Sequence, residues 1–172
     1  MIEKGKISQE PFIEILKTLE EAESANLVDW NAMNIASVDH INQPSSRMVL
    51  LKKISDDGLV FYTNYNSRKG KEIELNPKVA VNFWWRELKK QIRVEGFIEK
   101  ASEEDSDDYF NSRPLKSRVS AIISNQSSMI SSYEDLKNQI DNYLEQNDES
   151  SIKRPDHCCL LYTSPSPRDG LL

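Results

Sequence analysis

Cysteine is almost missing from this 172-residue sequence: Cys158 and Cys159 are the only two, and they are adjacent. They build no disulfide framework, and no His or Cys elsewhere stands at ligand spacing, so neither a disulfide scaffold nor a zinc site is expected. Long apolar runs are missing too, none approaching the roughly 18 residues of a membrane span. The N-terminus mixes Glu3 with Lys4 and Lys6 ahead of a polar stretch, unlike a secretory signal, and a cytoplasmic protein is the expectation. Nor is there an excess of basic charge, since 22 Lys and Arg against 28 Asp and Glu give a net charge of −6. General affinity for nucleic acid or an anionic membrane does not follow from that balance, and each local basic cluster needs a local explanation. The chain has no internal repeat; its length is about one domain's worth, enough to bury a real core.

What is present is organised around residues 47–76. Arg47-Met48-Val49-Leu50-Leu51-Lys52-Lys53-Ile54 and Leu59-Val60-Phe61-Tyr62-Thr63-Asn64 flank the polar break Ser55-Asp56-Asp57-Gly58. Two β-branched and aromatic runs around such a break predict an antiparallel hairpin. Ser67-Arg68-Lys69-Gly70-Lys71-Glu72-Ile73 follows, with Ser67 as N-cap of a helix that Pro77 stops. Basic side chains and free backbone N–H groups at one helix start suit a phosphate. Taken alone, the stretch reads as an ordinary hairpin with a solvated basic helix end.

Elsewhere the spacing of Phe12, Ile15, Leu16, Leu19 and Ala22 predicts a covering helix over Glu10–Ser24. Strands are expected over Asn31–Val38, Val79–Trp85 and Gln91–Lys100, with Gly96 a candidate bulge. Five strands with short connections suggest a meander curling into a barrel. Ser102-Glu103-Glu104-Asp105 reads as a helix start, with a break at Arg113-Pro114 and a second helix over Leu115–Ile123. Tyr109, Arg113 and Ser117 are spaced by four across that break; a phenol, a guanidinium and a hydroxyl there make either a phosphate clamp or a plain surface corner. A serine-rich loop, Ser124–Ser132, and a last helix, Tyr133–Gln146, complete the pattern.

From Glu10 to His157 the motifs stand in unbroken order: Asn31-Ala32-Met33, Ser46-Arg47-Met48-Val49-Leu50-Leu51-Lys52, Phe61-Tyr62-Thr63-Asn64, Ser67-Arg68-Lys69, Tyr109-Phe110-Asn111-Ser112-Arg113-Pro114 and Gln126-Ser127. Together they resemble the pyridoxamine (pyridoxine) 5′-phosphate oxidases, which adopt the FMN-binding split barrel, mainly β with flanking helices. The resemblance implies FMN contacts at Arg47, Met48, Val49, Leu50, Leu51, Lys52, Tyr62, Thr63, Arg68, Lys69, Gln91, Gln126 and Ser127. It implies that Lys52, Tyr109, Arg113 and Ser117 hold the substrate phosphate, and that the flavin lies at the interface of a homodimer. The implied reaction is oxidation of pyridoxamine or pyridoxine 5′-phosphate to pyridoxal 5′-phosphate, with dioxygen as acceptor and hydrogen peroxide as by-product. Another split-barrel flavin reductase, or a non-catalytic flavin or pyridoxal phosphate binding module, is the alternative.

The likeness stops at His157. The family continues with a further strand, an FMN-contacting tryptophan and an Arg-Leu-His loop, none of which stands here. The catalytic contacts of that loop therefore have no counterpart in this sequence. Residues 159–169 instead resemble the conceptual translation of a sequencing adapter, so the expectation is one split-barrel domain over 1–157, incomplete at its C-terminus, and a non-native tail over 158–172. No strand periodicity is read beyond a short apolar run there, and an open sheet edge with poor stability is expected.

Overall fold

The computed structural model describes residues 2–165, and these form two compact units. The first comprises residues 2–62, 72–100 and 161–165 and is a β-barrel. Its strands are β1 (Glu3–Lys4), β2 (Ala32–Val38), β3 (Pro44–Ser55), β4 (Gly58–Asn64), β5 (Lys78–Trp85), β6 (Lys90–Lys100) and β7 (Cys158–Pro165). They run in the order β1-β3-β2-β5-β6-β7-β4, and β4 pairs back onto β3. Strands β2 to β7 thus close a six-stranded antiparallel barrel, while β1 lies parallel on β3.

Alternation decides which side chains fill it. Met33 and Ile35 of β2, Val49 and Leu51 of β3, Val81 and Phe83 of β5, and Val94 and Ile98 of β6 are buried. Their immediate neighbours along each strand are more exposed, as a sheet with one covered face requires. In β4, Leu59, Val60 and Phe61 are all buried, so no simple alternation marks that strand. Helix α1 (Glu10–Ser24) packs on β3 through the predicted stripe of Phe12, Ile15, Leu19 and Ala22. Asp56, in the β3–β4 turn, ties down the entry to that helix: its carboxylate accepts from the backbone N–H groups of Ser8 and Gln9, each at 2.9 Å. These bonds, with the Ser8 hydroxyl, hold the Asp56 carboxyl below its ordinary range.

Two local expectations are corrected. Gly96 forms no bulge, because β5 and β6 pair without a shift from Lys78↔Phe97 to Trp85↔Lys90. The irregularity lies in β3 instead, where Leu51 pairs with Phe61 but Lys53 with Val60, leaving Lys52 as the extra residue. The larger correction is β7. Where no strand was expected, Leu161 to Pro165 pair antiparallel with Lys100 to Gly96. Cys158, Cys159, Leu161 and Thr163 are buried there. The gap between β6 and β4 offers two rows of unpaired backbone groups, and a short apolar segment satisfies them whatever its propensity. The barrel is consequently closed rather than open at that edge. Residues 166–172 of the expected tail lie outside the described residues.

The second unit comprises residues 63–71 and 101–160 and is helical. It carries the start of α2 (Arg68–Leu75), then α3 (Glu103–Ser112), α4 (Leu115–Ile123) and α5 (Tyr133–Gln146). Ser102 caps α3 by accepting from Asp105 N–H at 3.0 Å, and Glu103, Glu104 and Asp105 sit against its positive end. At the predicted break Arg113 is extended, with φ −78° and ψ 149°, and Pro114 opens α4. Helix α4 packs against α5, with Phe110 and Val119 buried. Arg154, almost wholly covered, makes ion pairs with Glu103 and Asp107. Among the described residues no helix is long and apolar enough to cross a membrane, and no group of His, Cys, Asp and Glu is arranged to hold a metal ion.

Candidate functional site

Within the barrel unit the candidate residues divide by strand geometry. Arg47, Val49 and Leu51 share one face of β3, Met48 and Leu50 the other. Val49 and Leu51 are core residues, while Met48 and Leu50 are 61% and 42% exposed. Arg47 stands at the polar end of the inner row. Its Nη1 donates to Ser37 Oγ at 2.6 Å, and its Nη2 to Ser45 Oγ at 2.6 Å and Glu72 Oε2 at 2.9 Å. Lys52 occupies the bulge, which breaks the two-residue period and leaves both Lys52 and Lys53 partly exposed. Tyr62, on β4, is half-buried. Gln91 is exposed on β6, where its amide donates to Asn82 Oδ1 of β5 at 2.7 Å.

Within the helical unit a second set gathers at the start of α2. Ser67 Oγ accepts from Gly70 N–H at 3.3 Å, the bond expected of an N-cap, and donates to Asn64 O at 2.5 Å. Lys69 is buried, and its ammonium donates to Ser67 Oγ at 3.3 Å and Gln126 Oε1 at 2.5 Å. Gln126 comes from the serine-rich loop, beside Ser127, whose φ of 69° places it in the left-handed region. Gly70 permits a close approach: a Cβ there would stand 2.1 Å from Tyr65 O. Thr63 is buried, and its hydroxyl has no hydrogen-bond partner among the described residues. Arg68 is exposed.

A third set lies at the α3–α4 break. Burial raises the Tyr109 hydroxyl above its ordinary range, and the nearby Arg113 guanidinium partly offsets that. The phenol is therefore a neutral O–H donor beside a fixed cation at neutral pH. Ser117, in the first turn of α4, is half-buried.

The structure thus brings Lys69 together with Gln126, and Tyr109 together with Arg113. It also surrounds Arg47 with three residues the sequence did not single out: Ser37, Ser45 and Glu72. Their signal was hidden in ordinary patterns. Glu72 stands four residues after Arg68, the spacing of a surface helix pair, and the two serines look like strand-edge residues.

A family model described as pyridoxamine 5′-phosphate oxidase matches residues 19–147. A pyridoxine/pyridoxamine 5′-phosphate oxidase of a Nostoc species is 46% identical over 161 residues, which is 94% of this chain and 75% of that protein. One of Burkholderia thailandensis is 47% identical over 131 residues, 76% of this chain and 61% of that protein. Among solved structures, PhzG from Burkholderia lata, in complex with tetrahydrophenazine-1-carboxylic acid, superposes with a TM-score of 0.85 at 24% identity, covering 92% of this chain and 77% of its own. A pyridoxamine 5′-phosphate oxidase-related, FMN-binding protein from Nostoc punctiforme gives 0.74 at 18% identity, covering 92% and 83%. At those identities the two structures speak for the split-barrel fold alone. The matched family model and the two oxidases, with their long collinear identity, go further: this chain belongs to the pyridoxamine 5′-phosphate oxidase family.

Proposed function

We propose that this chain is an FMN-dependent oxidase that converts pyridoxamine or pyridoxine 5′-phosphate to pyridoxal 5′-phosphate. The observation that carries the reading is Lys69, a buried ammonium at a helix N-terminus that donates to Ser67 Oγ and Gln126 Oε1. A cation so placed, with backbone N–H groups beside it, matches a phosphate monoester. The donor set fits FMN in a second respect: the Thr63 hydroxyl is buried and has no partner among the described residues, as expected of a group reserved for a ligand. Arg47, Lys52, Tyr62, Arg68, Gln91, Gln126 and Ser127 complete the proposed cofactor contacts, with Met48, Val49, Leu50 and Leu51 contributing through their strand backbone.

FMN, held by these residues, would supply the redox chemistry, a two-electron oxidation of the substrate with dioxygen as final acceptor and hydrogen peroxide as by-product. The chain's own share is orientation. Tyr109 donates its neutral hydroxyl and Arg113 its planar fork to the substrate phosphate, with Lys52 and Ser117 as further donors. A substrate held at its phosphate presents the carbon to be oxidised in one place, which turns a bimolecular encounter into a positioned one. We further propose a homodimer. Met48, Leu50, Trp84 and Phe97 are large apolar residues 40–61% exposed on β3, β5 and β6, and such a surface favours a partner.

The test is direct. The purified chain is titrated with FMN, and pyridoxamine 5′-phosphate is added under air. Stoichiometric flavin binding followed by equal yields of peroxide and pyridoxal 5′-phosphate supports the reading. Flavin binding without peroxide turns the assignment towards a reductase or a binding module, and absence of flavin binding removes it. Light scattering in solution decides the dimer.

A further inference from the structure

Glu72 has no part in the reading above, although its carboxylate is only 4% exposed. Its Oε2 accepts three bonds, from Ser37 Oγ at 2.6 Å, Ser45 Oγ at 2.7 Å and Arg47 Nη2 at 2.9 Å. Ser37 and Ser45 are cross-strand partners on β2 and β3 and also accept from the two terminal nitrogens of Arg47. The guanidinium is thus clamped at both ends by hydroxyls that the carboxylate itself orients; with Ile35 O accepting from Nη1 at 3.4 Å, all four Nη hydrogens are engaged and Nε–H is left for a further acceptor. Its side chain still keeps 22% exposure.

We propose that Glu72 is a positioning residue, which fixes Arg47 in the orientation that meets the phosphate of the cofactor; this rests on the reading of Arg47 as an FMN contact. An arginine free in solution carries many rotamers, and holding it beforehand removes most of the ordering cost from the binding step. The opposing effect is Coulombic, since a carboxylate beside the guanidinium weakens its pull on a second anion. Three donors on one enclosed oxygen decide between them. An acceptor so well satisfied is not displaced by an incoming phosphate, and part of its charge is already taken up by the two hydroxyls. Orientation is what remains for it to contribute.

The experiment is a double-mutant cycle read as the FMN dissociation constant, measured by quenching of flavin fluorescence on wild type, E72Q, R47M and R47M/E72Q, each first shown to melt cooperatively. E72Q alone is expected to raise Kd by about 3- to 10-fold. In the R47M background it is expected to change Kd by less than about 2-fold, because its effect passes through the arginine. Ser37→Ala/Ser45→Ala strips the same clamp without altering a charge and should follow E72Q. Should R47M not fold, R47K takes its place, keeping the charge without the fork. An E72Q protein that binds FMN equally or more tightly, while R47M binds it weakly, overturns the inference alone. The same holds for an E72Q loss that persists undiminished in the R47M background. R47M with unchanged affinity removes Arg47 from the cofactor site, and the inference falls with it.

Discussion

Lys69 Nζ donates to Gln126 Oε1 at 2.5 Å, joining a helix start to a serine-rich loop 57 positions later in the chain. The bond gives the loop an anchor and gives the ammonium a fixed direction. If that ammonium faces the FMN phosphate, Lys69→Met should raise the FMN dissociation constant by about 10- to 100-fold, the range for a charge-assisted hydrogen bond. Gln126→Ala, which leaves the charge in place, should cost only a few-fold. Flavin fluorescence titration of the two variants separates charge from anchoring, and equal small losses would count against Lys69 as a phosphate ligand.

Gly70 is constrained by distance. A methyl group there would sit 2.1 Å from Tyr65 O, backbone that has little room to yield. Gly70→Ala should therefore destabilise by about 1–3 kcal/mol, which for a chain of this size lowers the melting temperature by roughly 2–12 °C. Thermal melts followed by circular dichroism test this, with Lys71→Ala on the exposed side of the same helix as the neutral control.

Much of this architecture was legible because its determinants are local. The apolar stripe of α1, the Ser102 cap and the break before Pro114 each depend on residues within a few positions of one another, and each element lies where its pattern put it. Strand β7 was not legible, since what makes Cys158–Pro165 a strand is the vacancy between β6 and β4 rather than its own composition. The bulge at Lys52 was hidden for a related reason: Met48-Val49-Leu50-Leu51 is apolar on both faces, so no break in alternation announces a slipped register. At the site, the motif that contains Lys69 was readable, but the partners of Arg47 depend on a pairing of β2 with β3 that no single segment encodes.

The place of β7 in the barrel has a measurable consequence. Leu161 is 2% exposed, so Leu161→Ala should cost about 2–4 kcal/mol, the usual range for a buried leucine. A chain segment that merely trailed from His157 would tolerate the change within about 0.5 kcal/mol. Urea titrations of the two proteins discriminate these outcomes, and the second would argue that the barrel does not use this strand.

Asp56 links acid stability to the entry of α1. Its hydrogen bonds from Ser8 and Gln9 hold its carboxyl below the ordinary 3.8, so the unfolded chain binds the proton more readily. The stabilisation is therefore present above pH 3.8 and is lost as pH falls through the lower folded-state value. Asp56→Asn should melt below wild type at neutral pH, and the gap should close as the solution is acidified past that point. A gap that stays constant down to pH 2.5 would mean that the carboxylate charge contributes nothing and only the shape of the side chain matters.

Tyr109 and Arg113 present a neutral donor beside a cation, and on the proposed reading the two would share a substrate phosphate. Burial keeps the phenol protonated past its ordinary 10.0, so the donor persists through the whole range in which such an enzyme is assayed. Tyr109→Phe removes one hydrogen bond to an anion and should raise KM for pyridoxamine 5′-phosphate by about tenfold. Because the phosphate is remote from the carbon being oxidised, kcat should change by less than about twofold, the signature of a contact made equally in ground and transition states. The Tyr109→Phe to wild-type KM ratio should also stay level between pH 7 and 9.5, since the phenol does not ionise there. A ratio that collapses towards one as pH rises would show a tyrosine losing its proton early, which the enclosed position of Tyr109 argues against.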